Sequence, residues 1–378
     1  MKTIVLGAGR VGAAMARDLS LDSRFSVSVA DRDERRLTEL GARYGIPGER
    51  IDFSLPSTVA RAVESADLVI NAAPGFLGYQ TLRTVLDCGK NAVDIAFFPE
   101  DPFTLDALAK ERGVAAIVDC GVAPGLSNLL VGHACQQLKT TRSVAIYVGG
   151  LPADRVPPFE YRAPFSPVDV IEEYTRPARV VEDGRIVVRP ALSEREPIDV
   201  SAIGTLEAFV TDGLRTLLHT IDAPQRVEKT LRYPGHADKI QLLRDIGFFS
   251  PEAIEIDGAT IRPIDLATSL LFPMWQMHDG DEDFTFLRVV VDGHDGVQPV
   301  RLRYEMLDRF DRRTGTSSMA RTTGYTATMA ARLMADGGVD ETGIIPPERI
   351  GRSSDDVEFI LAGLRERGVS VTESTASA

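Results

Sequence analysis

Three glycines near the start of the chain have a spacing that allows backbone to approach phosphate oxygens closely. They are Gly7, Gly9 and Gly12 in the sequence GAGRVG, and Asp31 follows Gly12 by 19 residues. Gly7 permits a tight turn, Gly9 allows contact with a pyrophosphate, and Gly12 allows a helix to touch the preceding strand. An acid at the position of Asp31 is suited to bind the hydroxyl groups of an adenosine ribose. We therefore predict a dinucleotide site that contains Gly7, Gly9, Arg10, Val11, Gly12, Asp31 and Arg32.

The elements around these glycines alternate between short apolar strands and helices. Residues 2–6 and 25–30 are predicted strands, and a helix rich in small residues begins near Val11. The alternation continues to about residue 119, which predicts an α/β fold with a Rossmann doubly wound parallel sheet. Ligands of such sheets bind beyond the carboxyl ends of the strands. We therefore add three strand exits to the cofactor site: Ala72, Ala73, Pro74, Asp94, Ile95, Ala96 and Cys120.

The predicted cofactor is NAD, with NADP as the alternative. Asp31 would repel the 2'-phosphate of NADP, because two charges ~4 Å apart cost on the order of 4 kcal/mol at an effective dielectric constant of about 20. Arg32, Arg35 and Arg36 follow closely in the sequence and could offset that repulsion.

The composition is that of a globular protein and excludes several functional classes. The chain has 378 residues, of which 44% are hydrophobic, and a formal net charge of -13. This charge argues against a nucleic-acid partner, and the absence of a long apolar run argues against a membrane partner. Cys88, Cys120 and Cys135 form no C-x-x-C pair, so we expect neither a disulfide framework nor a metal site. A predicted strand at the very start leads us to expect no signal peptide and a cytoplasmic protein.

Beyond the alternating region the sequence pattern changes. A predicted hairpin at 178–190, a predicted helix near 204–218 and an antiparallel strand pair within 284–308 indicate an α+β domain. Residues 373–378 are predicted to be disordered. The predicted division is an NAD-binding domain over 1–123, an α+β substrate domain over 124–320 and a segment over 321–378 that packs back on the first domain.

Four segments carry a resemblance to a known family. They are DCGVAPGLSN at 119–128, FSPVDVIEEYTRPA at 165–178, TLRYPGH at 230–236 and MARTTGY at 319–325. Together they resemble the saccharopine dehydrogenase family, in its branch of saccharopine reductases and lysine 6-dehydrogenases. The resemblance implies a nicotinamide-binding domain, a substrate domain inserted after the sixth strand, and oxidation at a C–N bond of a lysine-derived amino acid. Asp212 departs from the family pattern, which often has a small neutral residue at that position.

Oxidation of an amine requires a base for the amine proton, and an amino acid substrate requires an anchor for its carboxylate. His236 follows a Pro-Gly turn at a predicted helix start, where the helix dipole favours neutral imidazole, so it is the first candidate base. Asp119 is the second candidate. Arg215 and Arg232 are the candidate anchors, because a guanidinium binds a carboxylate through two hydrogen bonds. The alternatives are a helix-capping role for His236 and ion pairs for the two arginines. The candidates for the ammonium end of the substrate are Asp119, Asp212, Glu172 and Glu173.

Three functions stay open from the sequence. The first is an NAD-dependent amino acid dehydrogenase of lysine 6-dehydrogenase type, which releases ammonia. The second is a saccharopine reductase-like dehydrogenase with a secondary-amine substrate, and the third is a non-catalytic nucleotide sensor. We expect a small amino acid as the partner, and a homo-oligomer, specifically a dimer.

Overall fold

The computed structural model describes residues 1–164, 167–278 and 280–377, so Phe165 and Ser166 of the family-like segment 165–178 lie outside the described residues. The described helices are, in chain order, α1 (Arg10–Ser20), α2 (Glu34–Tyr44), α3 (Pro56–Val63), α4 (Gly75–Asp87), α5 (Asp106–Arg112), α6 (Leu126–Gln137), α7 (Pro167–Thr175), α8 (Leu217–Thr220), α9 (His236–Asp245), α10 (Pro263–Trp275), α11 (Ser318–Ala335), α12 (Pro347–Ile350) and α13 (Ser354–Glu366). The described strands are β1 (Lys2–Leu6), β2 (Ser26–Asp31), β3 (Gly48–Arg50), β4 (Leu68–Asn71), β5 (Asn91–Asp94), β6 (Ala115–Ile117), β7 (Thr140–Pro152), β8 (Ala178–Glu182), β9 (Arg185–Arg189), β10 (Glu196–Val200), β11 (Gly204–Val210), β12 (Gln225–Arg232), β13 (Ile254–Ile256), β14 (Ala259–Ile261), β15 (Asp283–His294), β16 (Pro299–Arg309), β17 (Gly343–Ile345) and β18 (Val371–Ser377).

The first sheet is parallel and has the strand order β17-β6-β5-β4-β1-β2-β3. The chain begins in β1, extends to one edge through β2 and β3, and then adds β4, β5 and β6 on the other side of β1. The direction of winding therefore reverses between β1 and β4, which is where such sheets bind ligands. All but the first residue of β1 are buried, as expected for a strand whose two faces are both covered. The predicted α/β fold with a doubly wound sheet is confirmed.

The second sheet is mixed and follows the order β10-β11-β12-β7-β15-β16-β18, with β8 and β9 attached beside β12. β7 and β12 are parallel, and the neighbouring pairs β11–β12 and β7–β15 are antiparallel. The predicted helix near 204–218 is wrong, because this stretch contains β11 and only the short helix α8. β11 forms a strand because it pairs with β10 on one side and β12 on the other. This tertiary pairing outweighs the helical preference of the local sequence.

The C-terminal segment contacts both sheets. α11 packs on α1 through Gly324, where an added Cβ would lie 3.1 Å from Met15 Cγ, and Arg332 on α11 forms a 2.7 Å ion pair with Asp18 on α1. β17 extends the first sheet beside β6, and β18 pairs with β16 at the edge of the second sheet. The predicted disorder is therefore wrong for residues 373–377, and Ala378 lies outside the described residues. Most side chains of β18 are exposed, so backbone hydrogen bonds to β16 hold the strand in place. Its composition therefore does not indicate a strand.

The described part of the chain contains no membrane-spanning helix, since none of its helices combines the necessary length with the necessary apolar character. It also contains no cluster of three or more His, Cys, Asp or Glu side chains that could bind a metal ion.

Candidate active site

A cavity of about 1050 Å³ lies between the first sheet and the second domain. One wall comes from the glycine turn after β1 and from the exits of β4, β5 and β6. The other wall comes from β12, the loop after β11, α7 and the end of α10. A ligand on the glycine turn would therefore contact groups of both domains.

The glycine turn has the geometry that a pyrophosphate requires. Gly7 has φ +118°, and a Cβ on it would lie 2.5 Å from Ala72 O. A Cβ on Gly12 would lie 1.9 Å from Gly7 O, so only glycine lets α1 pack this close. A Cβ on Gly9 would instead fit without a clash, in ordinary van der Waals contact with Arg36 Nη1 at 3.7 Å. No side chain of the described residues caps the start of α1, so its first N–H groups are available to anionic oxygens.

Asp31 and the basic residues beside it form the ribose end of this wall. The Asp31 carboxylate accepts hydrogen bonds from Ala8 N at 2.5 Å and from Asp33 N at 2.8 Å. A carboxylate has about four acceptor positions, so the side chain keeps capacity for ribose hydroxyls. Arg32 and Arg36 also line the cavity and bring positive charge that could bind a 2'-phosphate. The residues present therefore fit a nicotinamide dinucleotide of either type, and the preference for NAD stays a prediction.

Most of the predicted cofactor residues line the cavity, namely Gly7, Gly9, Arg10, Val11, Gly12, Asp31, Arg32, Ala72, Ala73, Pro74, Ile95 and Ala96. Asp94 and Cys120 are fully covered and lie behind the wall, so their predicted contact with the cofactor is corrected. Asp94 accepts a hydrogen bond from Asn71 Nδ2 at 2.6 Å and another from Ala96 N at 2.7 Å. Burial raises the pKa of Asp94 to about 8. Its role is to hold the exits of β4 and β5 in position.

Asp119 lines the cavity, and Arg215 lies behind it in the interior. Arg215 Nε donates to Asp119 Oδ1 at 3.1 Å, and Arg215 Nη1 donates to the carbonyl oxygen of Phe98 at 2.5 Å. Both side chains are only 1% exposed. The structure therefore does not bring Arg215 to the cavity as a substrate anchor. It places Arg215 as the partner of Asp119, across the contact between the two domains.

Arg232 lines the cavity and is held in one orientation by four groups. Its Nε donates to Tyr174 Oη at 3.0 Å, its Nη1 to Leu231 O at 3.0 Å, and its Nη2 to Glu173 Oε2 at 2.5 Å and to Tyr161 Oη at 3.3 Å. The guanidinium also stacks on the Tyr161 ring, 4.4 Å from its centroid. A guanidinium has five N–H groups, so one N–H on Nη1 is left without a partner among the described residues.

His236 lies behind Arg232 and does not line the cavity, so its predicted role as the base is corrected. Its Nδ1 donates to Phe159 O at 2.9 Å, and its Nε2 accepts from Tyr174 Oη at 2.9 Å. Burial, together with the charge of Arg232, lowers the pKa of His236 to about 3. The imidazole is neutral, as expected, but both of its nitrogens are occupied. It therefore fixes Tyr174, which in turn orients Arg232.

All four carboxylates that were candidates for an ammonium group line the cavity, and each has an arginine partner. The pairs are Asp119 with Arg215 at 3.0 Å, Asp212 with Arg179 at 2.8 Å, Glu172 with Arg176 at 3.0 Å and Glu173 with Arg232 at 2.5 Å. Their negative charges are therefore largely neutralised before any substrate binds.

Reasoning from the sequence missed four charged residues of the cavity: Asp52, Asp169, Arg176 and Glu228. Arg176 lies at the end of α7, and its buried Nη1 has no hydrogen-bond partner in the described part of the chain. Glu228 lies in the middle of β12 and is 3% exposed. The alternation of β12 was the available signal, because Glu228, Thr230 and Arg232 share one face of the strand and all line the cavity.

A doubly wound sheet with a glycine turn, facing a charged wall from a second domain, defines the class of nicotinamide-nucleotide-dependent oxidoreductases. Two family models then cover nearly the whole chain. Residues 3–117 match the saccharopine dehydrogenase NADP binding domain, and residues 121–369 match the saccharopine dehydrogenase C-terminal domain. The chain belongs to the saccharopine dehydrogenase family, which confirms the resemblance and a nicotinamide nucleotide as the cofactor.

Individual relatives are distant. The chain is 23% identical to the mitochondrial alpha-aminoadipic semialdehyde synthase of Mus musculus, over 92% of its own length and only 45% of that enzyme. It is 22% identical to the carboxyaminopropylagmatine dehydrogenase of Synechocystis, covering 97% of this chain and 96% of the relative. The apo saccharopine dehydrogenase (L-Glu forming) of Saccharomyces cerevisiae superposes over 100% of both chains with a TM-score of 0.80 at 20% identity, which supports the fold.

Proposed function

We propose that the protein uses NAD(P)⁺ to oxidise a C–N bond of a lysine-like amino acid, in a lysine 6-dehydrogenase type reaction that releases ammonia and leaves a semialdehyde. The observation that carries this proposal is the row of polar side chains on β12. Glu228, Thr230 and Arg232 face the cavity opposite the glycine turn.

The positions in this row are far enough apart to contact opposite ends of one small molecule. Residues two apart on a strand are about 6.7 Å apart, so the backbone positions of Glu228 and Arg232 are separated by about 13 Å along β12. A lysine-like substrate would place its carboxylate at Arg232 and its amine towards Glu228.

Each part of the cavity has a separate task in this reaction. The glycine turn and Asp31 hold the dinucleotide, which supplies the two-electron oxidation when it is bound. The remaining N–H of Arg232 takes the substrate carboxylate, and the Tyr174–His236 pair keeps the guanidinium oriented. A non-catalytic nucleotide sensor would need no such charged row facing the nucleotide.

A second candidate is a dehydrogenase for a secondary amine that carries an additional carboxylate. Arg176 favours it, because it brings a second guanidinium, after that of Arg232, to the substrate half of the cavity, and its buried Nη1 has no hydrogen-bond partner among the described residues. Lysine has one carboxylate and needs only one such anchor. Relatives named for saccharopine and for carboxyaminopropylagmatine also support this reading.

Formation of reduced nicotinamide, followed by its absorbance, tests the proposal. L-lysine and saccharopine are each supplied with NAD⁺ and with NADP⁺, and free ammonia and glutamate are measured as products. We expect reduced nicotinamide and ammonia from L-lysine, and little rate from cadaverine, which lacks the carboxylate. Release of glutamate from saccharopine would instead select the second candidate. Absence of reduced nicotinamide with both substrates and both nucleotides would refute the proposal.

Arg176→Met separates the two candidates in the same assay. Loss of a charged contact to a carboxylate costs about 2–5 kcal/mol of binding. A raised KM for saccharopine with little change for lysine indicates that Arg176 binds the extra carboxylate, and equal effects on both substrates contradict that role.

A further inference from the structure

Glu228 differs from Asp212 and Glu173 in its charge environment, which contains no cationic partner from the described part of the chain. Among the described residues, no Lys, Arg or His side chain lies within ion-pair distance of its carboxylate, whereas Asp212 and Glu173 are both held by arginines. An acid that is buried without a cation is unfavourable unless a ligand or a proton supplies the missing charge.

The surrounding backbone makes room for this carboxylate. A Cβ on Gly213 would lie 2.4 Å from Glu228 Oε2, so any larger residue there would displace the carboxylate. Thr211 Oγ1 donates to Oε2 at 2.5 Å, and the Gly213 backbone N–H also donates to the carboxylate. Thr211 Oγ1 lies 2.9 Å from Thr230 Oγ1, which connects the carboxylate to the next side chain of the β12 row. These contacts fix where Glu228 points and leave it facing the cavity.

The groups around Glu228 also set its proton affinity. Burial raises the pKa of Glu228 to about 8, and the negative charges of Glu173 on α7 and Asp212 after β11 act in the same direction. The arginine partners of those two acids are Arg232 on the same strand and Arg179 on β8. An ammonium nitrogen has an ordinary pKa of roughly 10.4, so an acid with a raised pKa is a far better acceptor for its proton than an exposed glutamate.

We propose that the Glu228 carboxylate is the proton acceptor for the reacting nitrogen of the substrate, a role that rests on the proposed function. Glu228 takes one proton from the ammonium, which gives a neutral amine and a protonated Glu228. The adjacent C–H bond then breaks, with its hydrogen and both electrons passing to the oxidised nicotinamide nucleotide, and the amine becomes an iminium. The assignment holds for a primary or a secondary amine, because either one must lose a proton before it can be oxidised.

The test compares wild type, Glu228→Gln and the control Glu196→Gln over a range of pH. Glu196 is on β10 in the same domain, binds Lys229 at 2.7 Å and does not line the cavity. In wild type, kcat/KM should rise with pH through an ionisation near 8, because the acceptor must be unprotonated. In Glu228→Gln, kcat/KM should fall by roughly 10²- to 10⁴-fold and lose this limb. The Kd for the reduced nucleotide, followed by its fluorescence, should stay within about twofold of wild type, since Glu228 is placed in the substrate half.

Each result decides the assignment. A Glu228→Gln variant that keeps wild-type kcat/KM and the limb near pH 8 overturns it, as does an equal loss in Glu196→Gln. If Glu228→Gln fails to fold, the wild-type profile decides alone, because the absence of an ionisation between about pH 7 and 9 is incompatible with this acceptor. A wild-type protein that oxidises neither lysine nor saccharopine refutes the proposed function and this role with it. An active wild type with an unaffected variant refutes this role only.

Discussion

Replacing Arg215 by methionine should destabilise the folded protein rather than only weaken substrate binding. The guanidinium and the Asp119 carboxylate are each 1% exposed, so the substitution leaves a buried carboxylate without its cation. Loss of one partner of such a pair costs about 3–5 kcal/mol. The Arg215 bond to Phe98 O, at 2.5 Å, is lost as well. For a domain of this size, 1 kcal/mol corresponds to about 2–4 °C, so Tm should fall by roughly 6–20 °C.

Thermal unfolding followed by circular dichroism, without nucleotide, measures this effect. The control is the double variant Asp119→Asn with Arg215→Met, in which no buried charge is left unpaired. It should be more stable than Arg215→Met alone, because the main cost of the single substitution is the stranded carboxylate. An Arg215→Met protein whose Tm stays within about 2 °C of wild type, while its KM for the amino acid rises strongly, would refute the reasoning and restore Arg215 as a substrate anchor.

Three further predictions concern single residues. His236 is neutral when folded with a pKa of about 3, and its unfolded pKa is about 6.5. Its contribution to stability is therefore complete above pH 6.5 and is lost as the pH falls towards 3, so Tm should drop less between pH 7 and 5 in His236→Gln than in wild type. Asp31→Asn should raise the ratio of kcat/KM for NADP to that for NAD, because a charge facing the 2'-phosphate is removed, and an unchanged ratio would contradict this. Gly9→Ala should keep the wild-type Tm and bind nucleotide more weakly in a fluorescence titration. Gly12→Ala should instead lower the Tm, because its Cβ would lie 1.9 Å from Gly7 O.

The nucleotide half of the site could be predicted from the sequence because its residues are close together in the chain. The glycine turn, the strand before it and Asp31 fall within the first 31 residues, and each has one steric or hydrogen-bonding task. The errors in this half concern the burial of side chains and not their place at the ends of the strands. Asp94 and Cys120 are at the predicted strand exits, but they point into the protein and not into the cavity.

The substrate half was harder to predict because its residues meet only after folding. Arg215 and His236 have residue types suited to bind and to catalyse, and the sequence does not show that a buried partner already occupies each one. Arg215 is paired with Asp119, 96 residues earlier in the chain, and His236 is hydrogen-bonded to Tyr174, 62 residues earlier. The pairing between distant segments therefore decides which charged residues remain available to a substrate.

The strand β12 shows how such a site can still be found in a sequence. Its alternate residues Glu228, Thr230 and Arg232 face inward, although the strand lies inside a sheet and is almost fully buried. Burying an acid, a hydroxyl and a guanidinium on one face costs several kcal/mol unless each is hydrogen-bonded or faces a polar space. A sequence therefore keeps this pattern on a central strand only if that face has polar partners or a polar ligand. Arg232 has a carboxylate partner, whereas no described residue supplies a cation to Glu228, and this difference marks Glu228 as the position where a charged substrate would be needed.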